Sequence, residues 1–297
     1  MYPRLFSYHR AASLREAAGL LAELGPEARL LAGGQSLIPL MKLRLAAPPS
    51  LIDIGHIPAI NYVKSSNGSF AFGALARHAD IEKSDAAARI PILHDCAAGI
   101  ADVQVRNWGT LVGSIAEADP TGDWAPVLLA LDTQVQCQGA AGERAVPLAD
   151  FIRDAFTTAL QDGEIISEVR VASPRGKSGG AYIAFKRCAP VYASASVAAQ
   201  VTMEEGVCRD ARIYVGAIGL TPVHAANAEQ ALRGKAIDQK TAAAAGEAAM
   251  SDIDPQSDQR GSAEYKRALV RGLTAEAIQV AARRAAGERV EVAHHYA

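Results

Sequence analysis

Two short segments of this chain carry residue types that bind a charged, oxygen-rich ligand. The first is Ala32-Gly33-Gly34-Gln35-Ser36. It follows an apolar run, Ala28 to Ala32, that suits a short buried strand, and it precedes Leu37 to Leu45, which reads as a short helix. Glycines at such a turn let backbone approach a ligand closely. The free N–H groups of a helix start, together with its dipole, favour an anion such as a pyrophosphate. Ser36 can add a hydroxyl donor or cap the helix. A tight strand-to-helix turn without a ligand would use the same residues. The second segment is Asn107 to Ala116, continued by Asp119-Pro120-Thr121-Gly122-Asp123. It reads as a long glycine-rich loop, dense in small residues and donors, between apolar helices. Loops of that kind are often functional. The plain alternative is an ordinary surface loop.

Other chemistry finds little support. Neither segment is a GxGxxG fingerprint, and the chain has no GxxxxGK[ST], HExxH or GxSxG. No catalytic acid, base or nucleophile and no metal ligand stands out. Asp119 and Asp123 fit turns and ligand hydroxyls better than a paired acid and base. His294-His295 lies in a polar tail and reads as a disordered end. The four cysteines, Cys96, Cys137, Cys188 and Cys208, form no CxxC and have no metal-ligand spacing with histidine. They point to a reduced, cytoplasmic protein and away from an iron–sulfur cluster on this chain. Lys and Arg total 30 against 32 Asp and Glu, so no basic excess exists to neutralise a nucleic-acid backbone. No apolar run approaches the roughly 18 residues of a membrane helix, and the N-terminus has no apolar signal core.

The elements around the two segments follow from periodicity and turn residues. Leu14, Ala17, Ala18, Leu21 and Leu24 predict a helix over 11–25, with Ser13 and Glu16 as a capping box and Gly25-Pro26 as its stop. Ser50 to Ile54 reads as a strand. Asn67-Gly68 predicts a hairpin turn between Tyr62–Ser65 and Ser69–Gly73. Helices are expected at Ala79–Ser84, Ile92–Gly99 and Pro126–Leu131, and strands at Thr133–Cys137, Ala145–Pro147 and Ile165–Val171. Ser173 to Gly180 is the best linker candidate, rich in Pro, Gly and Ser. Three strands then follow (Ala181–Arg187, Ser194–Met203, Ala211–Ala217), and helices at Ala225–Leu232, Gln239–Ser251 and from Ser262 to about Ala286.

Taken together, the two segments resemble those of the FAD-carrying medium subunits of molybdenum hydroxylases, the family of aerobic carbon monoxide dehydrogenase and xanthine dehydrogenase. That family's A-G-G-x-S is here Ala32–Ser36, and its T-[IV]-G-G-[DNS] aligns with Thr110–Ser114. Its A-x-x-x-P-x-x-D is matched by Ala116, Pro120 and Asp123. Leu51–Ile54 with Ile57-Pro58, Phe185-Lys186-Arg187, Tyr192–Ala198 and Gly216-Ala217 through Thr221-Pro222 fit further segments. Arg260-Gly261-Ser262-Ala263-Glu264-Tyr265-Lys266-Arg267 is very close to the family's R-G-S-A-E-Y-R-R. Two positions depart from the pattern: Val112 replaces the first glycine of the second motif, and Val191 stands where the family usually has Asp.

The resemblance implies an α+β architecture: a vanillyl-alcohol-oxidase (PCMH)-type FAD-binding domain over 1–175, in two α/β sub-parts at 1–57 and 58–175. A smaller domain over 178–297 would hold a three-stranded antiparallel sheet and a helix bundle. It implies FAD on this chain, held by Ala32, Gly33, Gly34, Gln35, Ser36 and Leu37 from the first loop and by Thr110, Gly113, Ser114 and Ala116 from the second. Asp123 would take ribityl or ribose hydroxyls, Lys186 would lie near the pyrimidine end of the flavin, and Tyr192 would pack near the isoalloxazine ring. It implies a small subunit with 2Fe–2S clusters, a large molybdopterin subunit, a dimer of heterotrimers, and an external acceptor such as NAD or a quinone. Two other functions remain open at this point. One is a stand-alone flavin oxidoreductase like the UDP-N-acetylenolpyruvoylglucosamine reductases, against which the Arg260–Arg267 motif argues. The other is a flavin-less nucleotide-binding or assembly module, which Val112 makes conceivable.

Overall fold

The first strand–helix–strand unit builds a small parallel sheet. In the computed structural model, which describes residues 2–66, 68–140 and 142–296, strand Ser50–Asp53 is central, with Ser7–Arg10 and Arg29–Leu31 parallel on either side. The helix Leu14–Leu24 starts as its capping residues require. The Ser13 hydroxyl accepts the Glu16 N–H at 3.1 Å, and the Glu16 carboxylate accepts the Ala12 N–H at 2.8 Å. It buries Leu14, Ala17 and Ala18. The strand at Ser7–Arg10 went unread because its pattern is mostly exposed and only its pairing defines it.

A second, antiparallel sheet has the spatial order Val63–Ser66, Ser69–Gly73, Ile165–Ala172, Gln134–Gly139, Gly142–Pro147. Of the expected Asn67-Gly68 turn, Asn67 lies outside the described residues. The supposed glycine-rich loop at Asn107–Ser114 is instead two short helices, Val103–Trp108 and Leu111–Glu117, joined at Gly109-Thr110. Each has its own N-cap: Asp102 accepts from the Val105 N–H at 2.8 Å, and Thr110 from the Gly113 N–H at 3.0 Å. Capping outweighs the low helix propensity of the glycines.

The third sheet has three long antiparallel strands, Lys177–Lys186, Ala193–Glu204 and Val207–Gly216, as expected, but short strands at both edges make it five-stranded. Val223–His224 pairs at one edge, and His295–Tyr296 pairs in parallel with Phe185–Lys186 at the other. The polar tail is therefore docked, not a loose end. The linker also shortens. Gly179 and Gly180 pair with Val201 and Gln200 inside the sheet, which leaves Ser173–Gly176 as the connection. The sheet is buried on both faces. Val197, Val201 and Ile213 pack with Ala277 and Ile278 of the long helix Ala263–Ala285. Tyr182, Ala184 and Ala198 face the other way, into the core containing Ile92, Cys96 and Val127. Among the described residues, no helix is long and apolar enough to cross a membrane.

Candidate cofactor cleft

A cleft of about 1090 Å³ separates the two glycine motifs from the segment Leu160–Ile166 and the turn Pro190–Tyr192. That is above the roughly 300–1,000 Å³ typical of small-molecule sites. One wall is the first loop: Ala32, Gly33, Gly34, Gln35, Ser36 and Leu37 all line it. Gly34 has φ +71°, a left-handed turn that aims the following backbone into the helix Leu37–Leu43. Among the described residues the N–H groups of Gly34, Gln35 and Ser36 have no hydrogen-bond partner, and the Ser36 side chain caps nothing. These open donors point to an anionic oxygen ligand. Gly33 has a different task. A Cβ there would collide with the carbonyl of Trp108 and with Gly109, so this glycine lets the two motifs touch.

The second wall is the Gly109–Ala116 backbone. Thr110, Gly113, Ser114 and Ala116 line the cleft, as does Val112. The Leu111 N–H is tied to the Ala76 carbonyl at 3.0 Å and the Gly113 N–H to Thr110. Val112 is buried and belongs to the same core cluster as Leu111 and Ile115. The cleft also carries more acid than base: Glu117, Asp119, Asp123, Asp162 and Glu164 against Arg29. An anion would therefore be held by backbone N–H groups, with the carboxylates suited to ligand hydroxyls and amines. Burial, reinforced by the charge of Asp119, raises the Glu117 carboxyl above its ordinary range; Arg29 opposes this.

Asp123 links the cleft to a buried charge cluster. Its Oδ1 accepts the Tyr182 hydroxyl at 2.5 Å, and its Oδ2 faces the Lys186 ammonium at 3.3 Å. Lys186, at 1% exposure, also donates to the Gly99 carbonyl at 2.9 Å. The sequence reading placed Lys186 beside the cofactor. The structure seats its ammonium behind Asp123, against that carboxylate and the Gly99 carbonyl, and Lys186 is not among the residues that line the cleft. Asp95 is next in the cluster. It takes the Tyr182 N–H at 3.1 Å and a bidentate pair from Arg284, at 2.6 and 2.9 Å. His294, from the tail, accepts the Ala184 N–H at Nδ1 at 3.3 Å, and its Nε2 lies 2.9 Å from the Asp95 carbonyl. Burial lowers the His294 imidazole below its ordinary value. His78 sits at the cleft edge, accepting the Trp124 indole N–H at 3.0 Å; burial pushes it down to about 4.

Tyr192 lines the far side of the cleft and is half-exposed. Its hydroxyl faces Asp119. Burial, with the charges of Asp119, Asp123 and Glu117, pushes that hydroxyl up to about 12, so it remains a donor at any ordinary pH. Of the residues expected from the resemblance to hold FAD, all but Lys186 line this one cleft. The sequence reading missed the Leu160–Ile166 wall, whose only signal is the Asp162-Gly163 turn. It also missed Tyr182, Asp95 and Arg284, which carry no local signal because their partners lie far along the chain.

The fold, with its cleft, is that of a flavoprotein, and comparison with known proteins places the chain in the molybdenum hydroxylase class. Residues 4–174 match the family model of the FAD binding domain in molybdopterin dehydrogenase, and residues 180–281 that of the CO dehydrogenase flavoprotein C-terminal domain. The chain belongs to the family of FAD-binding medium subunits of carbon monoxide and xanthine dehydrogenases, and is an oxidoreductase subunit. It is 37% identical over 296 residues to the 6-hydroxypseudooxynicotine dehydrogenase complex subunit alpha of Paenarthrobacter nicotinovorans, covering 99% of this chain and 100% of that one. It is 36% identical to the carbon monoxide dehydrogenase medium chain of Afipia carboxidovorans, covering 96% and 99%. Among solved structures, carbon monoxide dehydrogenase from Hydrogenophaga pseudoflava superposes with a TM-score of 0.92 at 37% identity, covering 96% of this chain and 99% of that chain. Quinoline 2-oxidoreductase from Pseudomonas putida 86 follows with 0.91 at 34%, covering 96% and 99%.

Proposed function

We propose that this chain carries electrons within a three-subunit molybdenum hydroxylase, receiving them from 2Fe–2S clusters of a small subunit and delivering them to an external acceptor such as NAD or a quinone. A large molybdopterin subunit would oxidise the substrate, and two heterotrimers would pair. The complex would work in the cytoplasm, in keeping with four unpaired cysteines. When bound, FAD supplies a redox centre that takes electrons singly and releases them in pairs. The observation that carries the reading is the open N–H row of Gly34, Gln35 and Ser36, which lines one cleft of dinucleotide size together with Thr110, Gly113 and Ser114.

In this reading Ala32 to Leu37, with Thr110, Gly113, Ser114 and Ala116, hold the pyrophosphate and its neighbourhood through backbone donors and hydroxyls. Asp123 accepts from ligand hydroxyls, its carboxylate aimed by Tyr182 and Lys186. Lys186 thus acts through Asp123. Tyr192 packs against the flavin ring. The chain divides into domains 1–175 and 178–297, and the first into 1–57 and 58–175; separate sheets within 7–53 and 63–172 support the inner division.

The test is affinity purification of the chain from cells that make it naturally. Iron, molybdenum and an equimolar amount of FAD should come with it. A yellow chain that purifies alone, with neither metal, would leave the stand-alone oxidoreductase as the answer. A colourless one would leave the assembly module.

A further inference from the structure

The Arg260–Arg267 motif has no part in the cleft chemistry above, yet its residues are closely engaged. Asp258 and Gly261 exchange backbone hydrogen bonds at 3.0 and 3.2 Å, closing a tight turn. Asp258 Oδ1 accepts the Arg260 N–H at 2.7 Å, and its Oδ2 meets the Lys266 ammonium at 2.8 Å. Burial works against charge on Asp258. The hydrogen bonds and charges of Lys266 and Arg260 outweigh it and hold the carboxyl below its ordinary range. Lys266 is 2% exposed and also donates to the Gln256 carbonyl at 3.0 Å. Ser262 caps the long helix by accepting the Tyr265 N–H at 3.1 Å. Gly261 has φ +151°, and a Cβ there would press on the Tyr265 ring, which itself meets Phe185 edge-on at 6.0 Å.

A buried lysine and a backbone conformation that favours glycine are a large commitment for a surface turn. What the turn presents is Arg260. Its carbonyl accepts the buried Ser194 hydroxyl at 2.9 Å, and its guanidinium lies over the Tyr192 ring, 5.9 Å from the centroid. Ser194 and Tyr192 flank the start of strand Ala193–Glu204, so both contacts act on the same corner of the cleft.

We propose that Arg260 is a positioning residue for Tyr192, and that the Arg260–Arg267 motif is the clamp that fixes this tyrosine against the flavin. The inference rests on the cleft being the FAD site. A half-exposed tyrosine at a turn samples several rotamers. A guanidinium over one face, 3.7 Å from the Asp258 carboxylate that Lys266 anchors, selects one and leaves the other face to the ligand.

The experiment uses the full chain reconstituted with FAD, with affinity and bound-flavin fluorescence as readouts. Arg260→Ala should weaken FAD about three- to ten-fold, the range of a partly desolvated cation–π contact, and brighten the bound flavin as the tyrosine drifts away. Arg260→Lys should restore most of both; Arg260→Gln should not. In a Tyr192→Leu background, Arg260→Ala should add less than about two-fold, because the two act as one unit. Unchanged affinity and emission in Arg260→Ala, or full additivity with Tyr192→Leu, overturns the proposal. If Arg260→Ala fails to fold, the Lys and Gln variants decide it: equal affinities overturn it. A wild-type chain that takes up no FAD overturns the cofactor reading instead.

Discussion

The cleft loops and the charge cluster behind them treat polar groups in opposite ways. Gly34, Gln35 and Ser36 leave their N–H groups open and near the surface, where water meets them until a ligand does. Asp95, Lys186, Arg284 and Tyr182 are buried, and each finds its partner inside the protein. The first arrangement is inexpensive in stability and leaves donors available to a ligand. The second offsets the desolvation of several charges with close hydrogen bonds, and it ties together elements far apart in sequence: residue 95, strand 177–186, helix 263–285 and the tail. Substitutions in the two regions should therefore separate stability from cofactor affinity.

The sharpest way to break that contrast is Arg284→Met. Methionine fills much of the same space without charge. Asp95 would keep only the Tyr182 N–H, and the Gly180 and Val290 carbonyls would lose their donor. Removing one partner of a buried pair costs roughly 3–5 kcal/mol, so the urea midpoint should fall steeply. A loss below about 1 kcal/mol would mean the cluster is wetter and weaker than its geometry implies.

A smaller effect is expected at His78, which lines the cleft and feels the charge of Asp123. Burial pushes its imidazole down to about 4; the charge of Asp123 opposes that fall and the charge of Arg106 adds to it. The folded value lies below the ordinary 6.5, so between those values the unfolded chain binds a proton that the native one refuses. The stability due to neutral His78 is complete above about pH 6.5, declines as pH falls toward 4, and levels off below that. The total is about 3 kcal/mol. His78→Gln can still accept the Trp124 indole N–H but does not titrate. Urea titrations at stepped pH should show this loss much reduced in the variant; an identical acid profile would assign the sensitivity elsewhere, with His294 next, since its shift has the same sign.

Legibility in the sequence follows the same division. The cleft was readable because its parts are local. A glycine pair between a strand and a helix, a threonine before a helix and a proline-led acidic turn each announce themselves within a few residues. The motif match brought the two loops together before any coordinate did. The long strands and helices were readable from their periodicity. What resisted was nonlocal. Strand Ser7–Arg10 exists because Ser50–Asp53 lies beside it, and His295–Tyr296 because Phe185–Lys186 offers an open edge. The lysine of the Phe185-Lys186-Arg187 segment was visible, but its buried pairing with Asp123, 63 residues earlier, was not. Glycine misled twice. Asn107–Ser114 reads as a loop only if the caps at Asp102 and Thr110 are overlooked, and Gly179-Gly180 reads as a linker although the pair lies within a strand.

The last test concerns the one glycine that serves as a contact between the two motifs, and here the stability effect should be the smallest and the cofactor effect the clearest. Gly33 touches the Trp108 carbonyl and Gly109 so closely that any Cβ would overlap them. Backbone cannot swing aside as a long side chain can, so Gly33→Ala must push the first loop away from the second. Overpacking of this kind costs about 1–3 kcal/mol in a rigid core, and less at a cleft edge that can open toward solvent. The displaced loop, however, carries the open donors of Gly34, Gln35 and Ser36, and a shift of a fraction of an ångström spoils their convergence with Thr110–Ser114 on one ligand. The variant should thus fold, with a urea midpoint near that of the parent, yet retain little FAD through gel filtration; Gly33→Val should be soluble and largely colourless. Full flavin content in both would show that the loops can part without losing the ligand, and would move the binding determinants to the opposite wall, Leu160–Ile166.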